Sequence, residues 1–151
     1  MHEINLFLDG PKNNNDKIIQ KEIKQSFVNN KFNKKIKRNI FISKKNKGLA
    51  VSLKKGITKI AKKCKFLIIL EDDCIPREGF FEFIKENMNN LKKLKNIGAI
   101  CCYQIPEIHE KFFSDKNLKT IELKYFIPWG WCVLSEHWLK FMKYDLNNER
   151  V

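Results

Sequence analysis

A chain of 151 residues, 43% of them hydrophobic, suits one domain with a modest core, spanning residues 1–151, and is too apolar for a disordered polypeptide. Its formal charge of +13 rests on 27 Lys and 3 Arg. No apolar run approaches the roughly 20 residues needed to cross a bilayer, and Met1-His2-Glu3 lacks the start of a signal peptide, so a cytosolic protein is expected. The five cysteines show no CxxC spacing, which predicts free, mostly buried thiols and no zinc site. The lysine excess could attract nucleic acid, an anionic membrane surface or a phosphorylated substrate. Its company of Asn, Ile and Phe, and its poverty in Arg, favours a solvated basic surface and disfavours specific nucleic-acid recognition.

In chain order, Ile4 to Leu8 reads as a strand stopped by the turn residues Asp9-Gly10-Pro11. Ile19, Ile23 and Phe27 then share one helical face between Asp16, a candidate N-cap, and Asn30. Asn39 to Ser43 reads as a second strand. Leu49, Leu53, Ile57, Ile60 and Cys64 return to helical spacing before a third strand, Phe66 to Leu70. Pro76 and Glu78 open a helix that Phe80, Phe81, Ile84, Met88 and Leu91 carry to about Lys95. Ile97 to Cys102 is a fourth apolar run, an irregular segment covers Tyr103 to Thr120, and Ile121 to Phe126 is a last candidate strand. Ser135 caps a closing helix through Trp138, Leu139, Phe141 and Met142. Strands alternating with helices predict an α/β fold, a mostly parallel sheet with helices on both faces.

In such sheets ligands bind beyond the carboxyl ends of the strands. Asp9 follows the first strand, and Glu71-Asp72-Asp73 follows the third directly. Three adjacent carboxylates repel one another unless a cation or donors compensate. A hard divalent cation, Mg or Mn, held by one or two carboxylates keeps positions open for substrate phosphates. Asp9 and the triplet are therefore expected to line one crevice, with a solvated turn or a helix-capping cluster as the plainer alternative.

The stretch Gly48-Leu49-Ala50 to Gly56-Ile57, then Phe66 to Pro76 with its Glu71-Asp72-Asp73, then Phe80-Phe81-Glu82-Phe83, resembles the central part of GT-A fold glycosyltransferases. The nearest likeness is to the inverting N-acetylglucosaminyltransferase I family and its bacterial relatives. Phe126-Ile127-Pro128-Trp129-Gly130-Trp131, with Leu134 and Glu136-His137-Trp138, is similar to that family's acceptor-side segment, and Asp9-Gly10 resembles its aspartate beside the nucleotide base.

The resemblance implies a Rossmann-like, nucleotide-diphospho-sugar transferase sheet and transfer of a sugar from a nucleotide-diphosphate donor, UDP-sugar favoured, to a carbohydrate or glycoconjugate hydroxyl with inversion. By the same resemblance Asp73, with Asp72, would hold Mn or Mg. Asp72 would also contact the ribose or sugar, Glu71 would support the loop or the sugar, and Asp9 with Gly10 would meet the nucleobase. Lys47 could reach a phosphate, with an ordinary surface lysine as the alternative. Trp129, Gly130 and Trp131 could form a platform for a sugar ring, with core packing as the alternative. His109 and His137 read as surface histidines.

Set against that family, the chain begins at what corresponds to its second strand and stops before its Asp-containing base motif, so the catalytic base is unassigned. Asp145 and Glu149 stand too close to the final helix for that role. A missing strand would leave an exposed sheet edge and invite self-association. The basic surface could add peripheral attachment to the inner face of the membrane. Two other readings stand beside the transferase. One is a nucleotidyltransferase, which should show a glycine-rich phosphate loop near the N-terminus, where none is present. The other is a catalytically silent basic domain that binds a nucleotide sugar or an anionic surface.

Overall fold

The computed structural model describes residues 3–31, 35–93, 96–103 and 122–148. Most of the segment after Tyr103, with His109, and the terminal Glu149 lie outside these residues. The protein is a mixed α/β chain in two compact units, Met1–Gly56 and Ile57–Val151.

In the first unit, strand β1 (Glu3–Leu8) pairs in parallel with β2 (Lys37–Ile42), in register from Glu3↔Lys37 to Leu8↔Ile42. Parallel strands need a crossover, and helix α1 (Asn14–Asn29) supplies it. Cross-strand pairs hold the register. The Phe7 and Phe41 rings stack 4.6 Å apart, Asn39 Nδ2 donates to Asn5 Oδ1 at 2.8 Å, and Lys37 forms an ion pair with Glu3 at 3.4 Å.

The N-cap of α1 is Asn13 rather than the expected Asp16. Asn13 Oδ1 accepts the Asp16 N–H at 2.9 Å, while Asp16 Oδ2 accepts the Lys12 N–H at 2.8 Å. Asp16 is thus the reciprocal partner in a box-like arrangement, and such caps contribute about 1 kcal/mol. At the other end, Arg38 Nη1 on β2 donates to the carbonyls of Phe27, Val28 and Asn30, each at 3.2 Å. A cation thereby meets the orphan carbonyls at the negative pole of the helix. Helix α2 (Leu49–Ala61) begins in this unit, where a Cβ on Gly56 would stand 3.2 Å from the Phe7 ring.

In the second unit, β3 (Phe66–Ile69), β4 (Ile100–Cys101) and β5 (Trp131–Leu134) form a three-stranded sheet in the order β3-β5-β4. The middle strand runs antiparallel to both neighbours, in register Ile69↔Trp131 and Cys101↔Trp131. The expected mostly parallel sheet is therefore met in the β1–β2 pair and not here. Trp131–Leu134 takes the centre of this sheet, with all four residues buried, as a run apolar on both faces requires. The strand expected at Ile121 to Phe126 is not formed over 122–126, and Ile121 lies outside the described residues.

Helices α3 (Phe80–Lys93) and α4 (Ser135–Asn148) pack against β5. Ile84, Leu91 and Cys132 are the most deeply buried side chains, joined by Leu67, Ile69, Val133, Leu134 and Trp138. Trp138 Nε1 donates to Thr58 Oγ1 at 2.9 Å, satisfying the polar atom of a buried ring. All five cysteines are free thiols as expected, but only Cys132 is buried, and Cys64 is exposed. Among the described residues no helix is long and apolar enough to cross a membrane.

Candidate functional site

The predicted site residues fall into one group in each unit. In the first unit they gather around Asp9, which follows β1. Asp9 Oδ1 accepts the N–H groups of Gly10 at 2.8 Å and Lys47 at 3.1 Å, and Oδ2 accepts those of Lys47 at 3.0 Å and Gly48 at 2.9 Å. Burial pushes the Asp9 carboxyl up. The N–H groups of Lys47 and Gly10, the Ser52 hydroxyl and the Gly48 N–H outweigh it and hold the group below its ordinary value.

Gly48 takes a left-handed φ of 78° just before α2, and its carbonyl accepts the Ser52 N–H at 3.0 Å. Asp9 therefore places a negative charge at the start of α2, where the helix dipole favours it. Gly10 is buried, and its carbonyl accepts Asn46 Nδ2 at 2.9 Å. A Cβ at Gly10 would fall on the backbone of Lys45 and Asn46. Gln20 Nε2 donates to the Asp9 carbonyl, tying α1 to the same turn. Lys47 thus meets Asp9 through its backbone, and the residue itself is exposed.

In the second unit the acidic triplet forms a β-turn, closed by the Cys74 N–H donating to the Glu71 carbonyl at 3.1 Å. Asp72 and Asp73 are exposed and Glu71 is half-buried. Among the described residues none of the three carboxylates is in an ion pair with Lys or Arg. Burial, then the charges of Asp73 and Asp72, push the Glu71 carboxyl up. The turn therefore carries uncompensated negative charge, as the sequence pattern suggested. No group of three or more His, Cys, Asp or Glu among the described residues forms a ready cage for a metal ion. A magnesium-type ion needs no such cage, because it keeps several waters and substrate oxygens as ligands.

The Gly130 segment meets this turn across the sheet. A Cβ on Gly130, whose φ is 68°, would stand 3.6 Å from Leu70 Cδ2 and 3.8 Å from Phe80 Cε2. Leu70, the residue after β3, thus lies against Gly130, the residue before β5. On the other flank, the Cys102 N–H donates to the Gly130 carbonyl at 2.7 Å, and the Tyr103 and Trp129 rings meet edge to face at 4.8 Å. The Gly130 segment therefore lies between Leu70, which precedes the acidic turn, and Cys102–Tyr103 at the end of β4.

The two tryptophans separate sharply. Trp129 is 47% exposed, whereas Trp131 is 6% exposed and packs against Phe126 and Trp138. Trp131 is a core residue. Sequence reasoning did not single out Tyr103, whose ring meets that of Trp129. Its signal was its place immediately beyond the fourth apolar run, at the same edge as the acidic turn. His137 sits on α4 with Nδ1 3.3 Å from the Gly98 carbonyl.

Comparison of the chain with protein-family models, with curated protein sequences and with solved structures finds no match.

Proposed function

We propose that this protein is a metal-dependent glycosyltransferase domain of the nucleotide-diphospho-sugar type, with a Rossmann-like GT-A arrangement, and that its donor and acceptor meet at the β3–β5–β4 edge. The observation that carries the reading is the acidic turn Glu71-Asp72-Asp73, without a Lys or Arg ion pair among the described residues, which follows Leu70 where that residue lies against Gly130, next to the half-exposed Trp129. Carboxylates accept hydrogen bonds from sugar hydroxyls or hold a cation, and aromatic faces suit the C–H surfaces of a pyranose.

In this reading Asp73, with Asp72, holds Mn or Mg, whose chemical contribution is to neutralise charge on the departing diphosphate. The acceptor hydroxyl oxygen attacks the anomeric carbon, the bond from that carbon to the diphosphate oxygen breaks, and a general base takes the hydroxyl proton. The carbon inverts because attack comes opposite the leaving group. Within the first unit Asp9 acts as a clamp on the loop of Lys47 and Gly48. Its two oxygens accept the N–H groups of Gly10, Lys47 and Gly48, the Lys47 N–H being shared between them.

Isothermal titration with UDP and UDP-sugars, with and without Mn, tests the proposal. UDP binding that requires Mn and vanishes in Asp73→Ala supports it. Equal binding by wild type and variant removes the metal assignment. Mn-dependent UDP binding without hydrolysis or transfer of any donor sugar replaces the enzyme with a silent nucleotide-sugar binder.

A further inference from the structure

Cys132 lies in the middle strand β5 opposite Ile100 of β4, and it is wholly buried. Two residues past Ile100, Cys102 continues the ladder by donating its N–H to the Gly130 carbonyl at 2.7 Å. Side chains two positions apart on a strand share a face. Cys102 and Cys132 are therefore diagonal neighbours on one face of the sheet, and their thiols are hydrogen-bonded to each other. Cys101, opposite Trp131, lies on the other face, where its sulfur accepts the Ile127 N–H at 3.4 Å.

The two thiols differ in access and in acidity. Cys102 is half-buried at the end of β4, whereas Cys132 has no exposed surface. The hydrogen bond from the Cys132 thiol outweighs burial and holds Cys102 below the ordinary thiol range, and the same contact, with burial, pushes Cys132 up. The thiolate is the form that attacks an oxidant, so reaction begins at Cys102. The other cysteines are worse placed. Burial, with the charges of Asp73 and Glu71, pushes the Cys74 thiol up, and burial does the same to Cys101. The sulfur of the exposed Cys64 meets the Ile60 carbonyl and the Ser135 hydroxyl rather than a thiol.

We infer that Cys102 and Cys132 are a reversible thiol–disulfide pair, with hydrogen peroxide as the oxidant, Cys102 as the attacking sulfur and Cys132 as the resolving one. The Cys102 thiolate attacks a peroxide oxygen, the O–O bond breaks, and the departing hydroxide takes up the proton that Cys102 released, leaving as water. The Cys132 sulfur then attacks the Cys102 sulfenic acid: an S–S bond forms, the S–O bond breaks, and a second water leaves with the Cys132 proton. Two thiols are oxidised and one peroxide is reduced to two waters. A small dithiol reverses the link by exchange. Diagonal positions stand farther apart than directly opposite ones, which favours a link that thiols can undo. The inference is independent of the glycosyltransferase reading, since neither thiol belongs to the proposed metal site.

The test is treatment of the whole native chain with a small excess of hydrogen peroxide, followed by capping of the remaining thiols, intact mass measurement and tryptic peptide mapping. The expected product has lost two hydrogen masses and yields a peptide pair linked through Cys102 and Cys132, which dithiothreitol releases. Cys132→Ala should leave the Cys102 sulfenic acid unresolved, so that its dimedone adduct rises severalfold over wild type. Cys102→Ser should abolish both the link and that adduct. Near-UV circular dichroism identifies a variant that fails to fold, in which case the wild-type peptide map, which needs no substitution, decides. No Cys102–Cys132 peptide from oxidised wild type, a main product linked through any other cysteine, or formation of the link only in urea overturns the inference. So does equal dimedone labelling of wild type and folded Cys132→Ala.

Discussion

Asp9 and Gly48 lie 39 positions apart and are joined by a hydrogen bond of 2.9 Å from the Gly48 N–H to Asp9 Oδ2. That bond fixes where β1 ends and α2 begins. It shows an acidic strand-end residue acting on the chain itself, where the sequence pattern alone reads as a ligand contact.

The Asp9 clamp has a pH signature. Its carboxyl is held below its ordinary value of 3.8, so its stabilisation is fully present above that value and is lost as pH falls through the lowered folded value. Urea midpoints measured from pH 7 down to pH 2 should fall along an acid limb that is shallower in Asp9→Asn. In the wild type, the Lys47 and Gly48 amides should be among the slower-exchanging loop amides, and in Asp9→Asn they should exchange faster. Identical acid limbs would remove the clamp.

Two glycines near the clamp should answer differently to the same change. Gly10→Ala drives a methyl group into the Lys45 and Asn46 backbone, which has no flexible end to move aside. Gly48→Ala meets no atom within 4 Å and carries only the cost of its left-handed φ, about 1–2 kcal/mol. Chemical denaturation should show Gly10→Ala as much the more damaging, with Gly48→Ala losing only that modest amount.

The core of the second unit predicts a third contrast. Leu91 is 1% exposed on α3, and Leu91→Ala should cost on the order of 3 kcal/mol by chemical denaturation. Phe81, on the same helix, is 58% exposed, so Phe81→Ala should cost well under half as much. Similar losses at the two positions would mean that α3 presents a different face to the sheet.

The acidic turn supplies a fourth. Without metal, three adjacent carboxylates lacking Lys or Arg partners among the described residues weaken the turn, so Asp73→Asn should leave the thermal midpoint unchanged or higher in EDTA. Addition of Mn should raise the midpoint of the wild type and leave that of Asp73→Asn where it was. A lower midpoint for the variant in EDTA would assign Asp73 a structural role.

Much of the local structure was legible because it is written in neighbouring residues. The apolar run Ile4 to Leu8 ending at Asp9-Gly10-Pro11, and the stripe through Leu53 and Ile57, give β1 and α2 nearly as observed. The acidic turn was legible for the same reason: Glu71-Asp72-Asp73 abuts the run that becomes β3. Trp131 to Leu134 was not read as a strand, since it runs straight into α4 with no turn residue between them. Nor does a four-residue apolar run state its direction, so the antiparallel centre of the second sheet stayed hidden. The contacts of Tyr103 and Asp9 are made with partners remote in sequence, Trp129 for one and Lys47 and Gly48 for the other, so they could not be read locally. The N-cap went to Asn13 because a run of short polar residues offers several caps, and the reciprocal bond with Asp16 selects among them.

The placement of β5 between β3 and β4 also sets a schedule for the chain. Neither outer strand can find its sheet partner until Trp131–Leu134 has been synthesised, so β3 waits through α3 and everything that follows it. Contacts so distant in sequence slow folding and leave apolar strand edges uncovered meanwhile. On the ribosome the first unit, whose β1–β2 pairing needs only α1 between its strands, can close early. The second unit locks late and nearly at once, when a single buried strand arrives to join both of its neighbours.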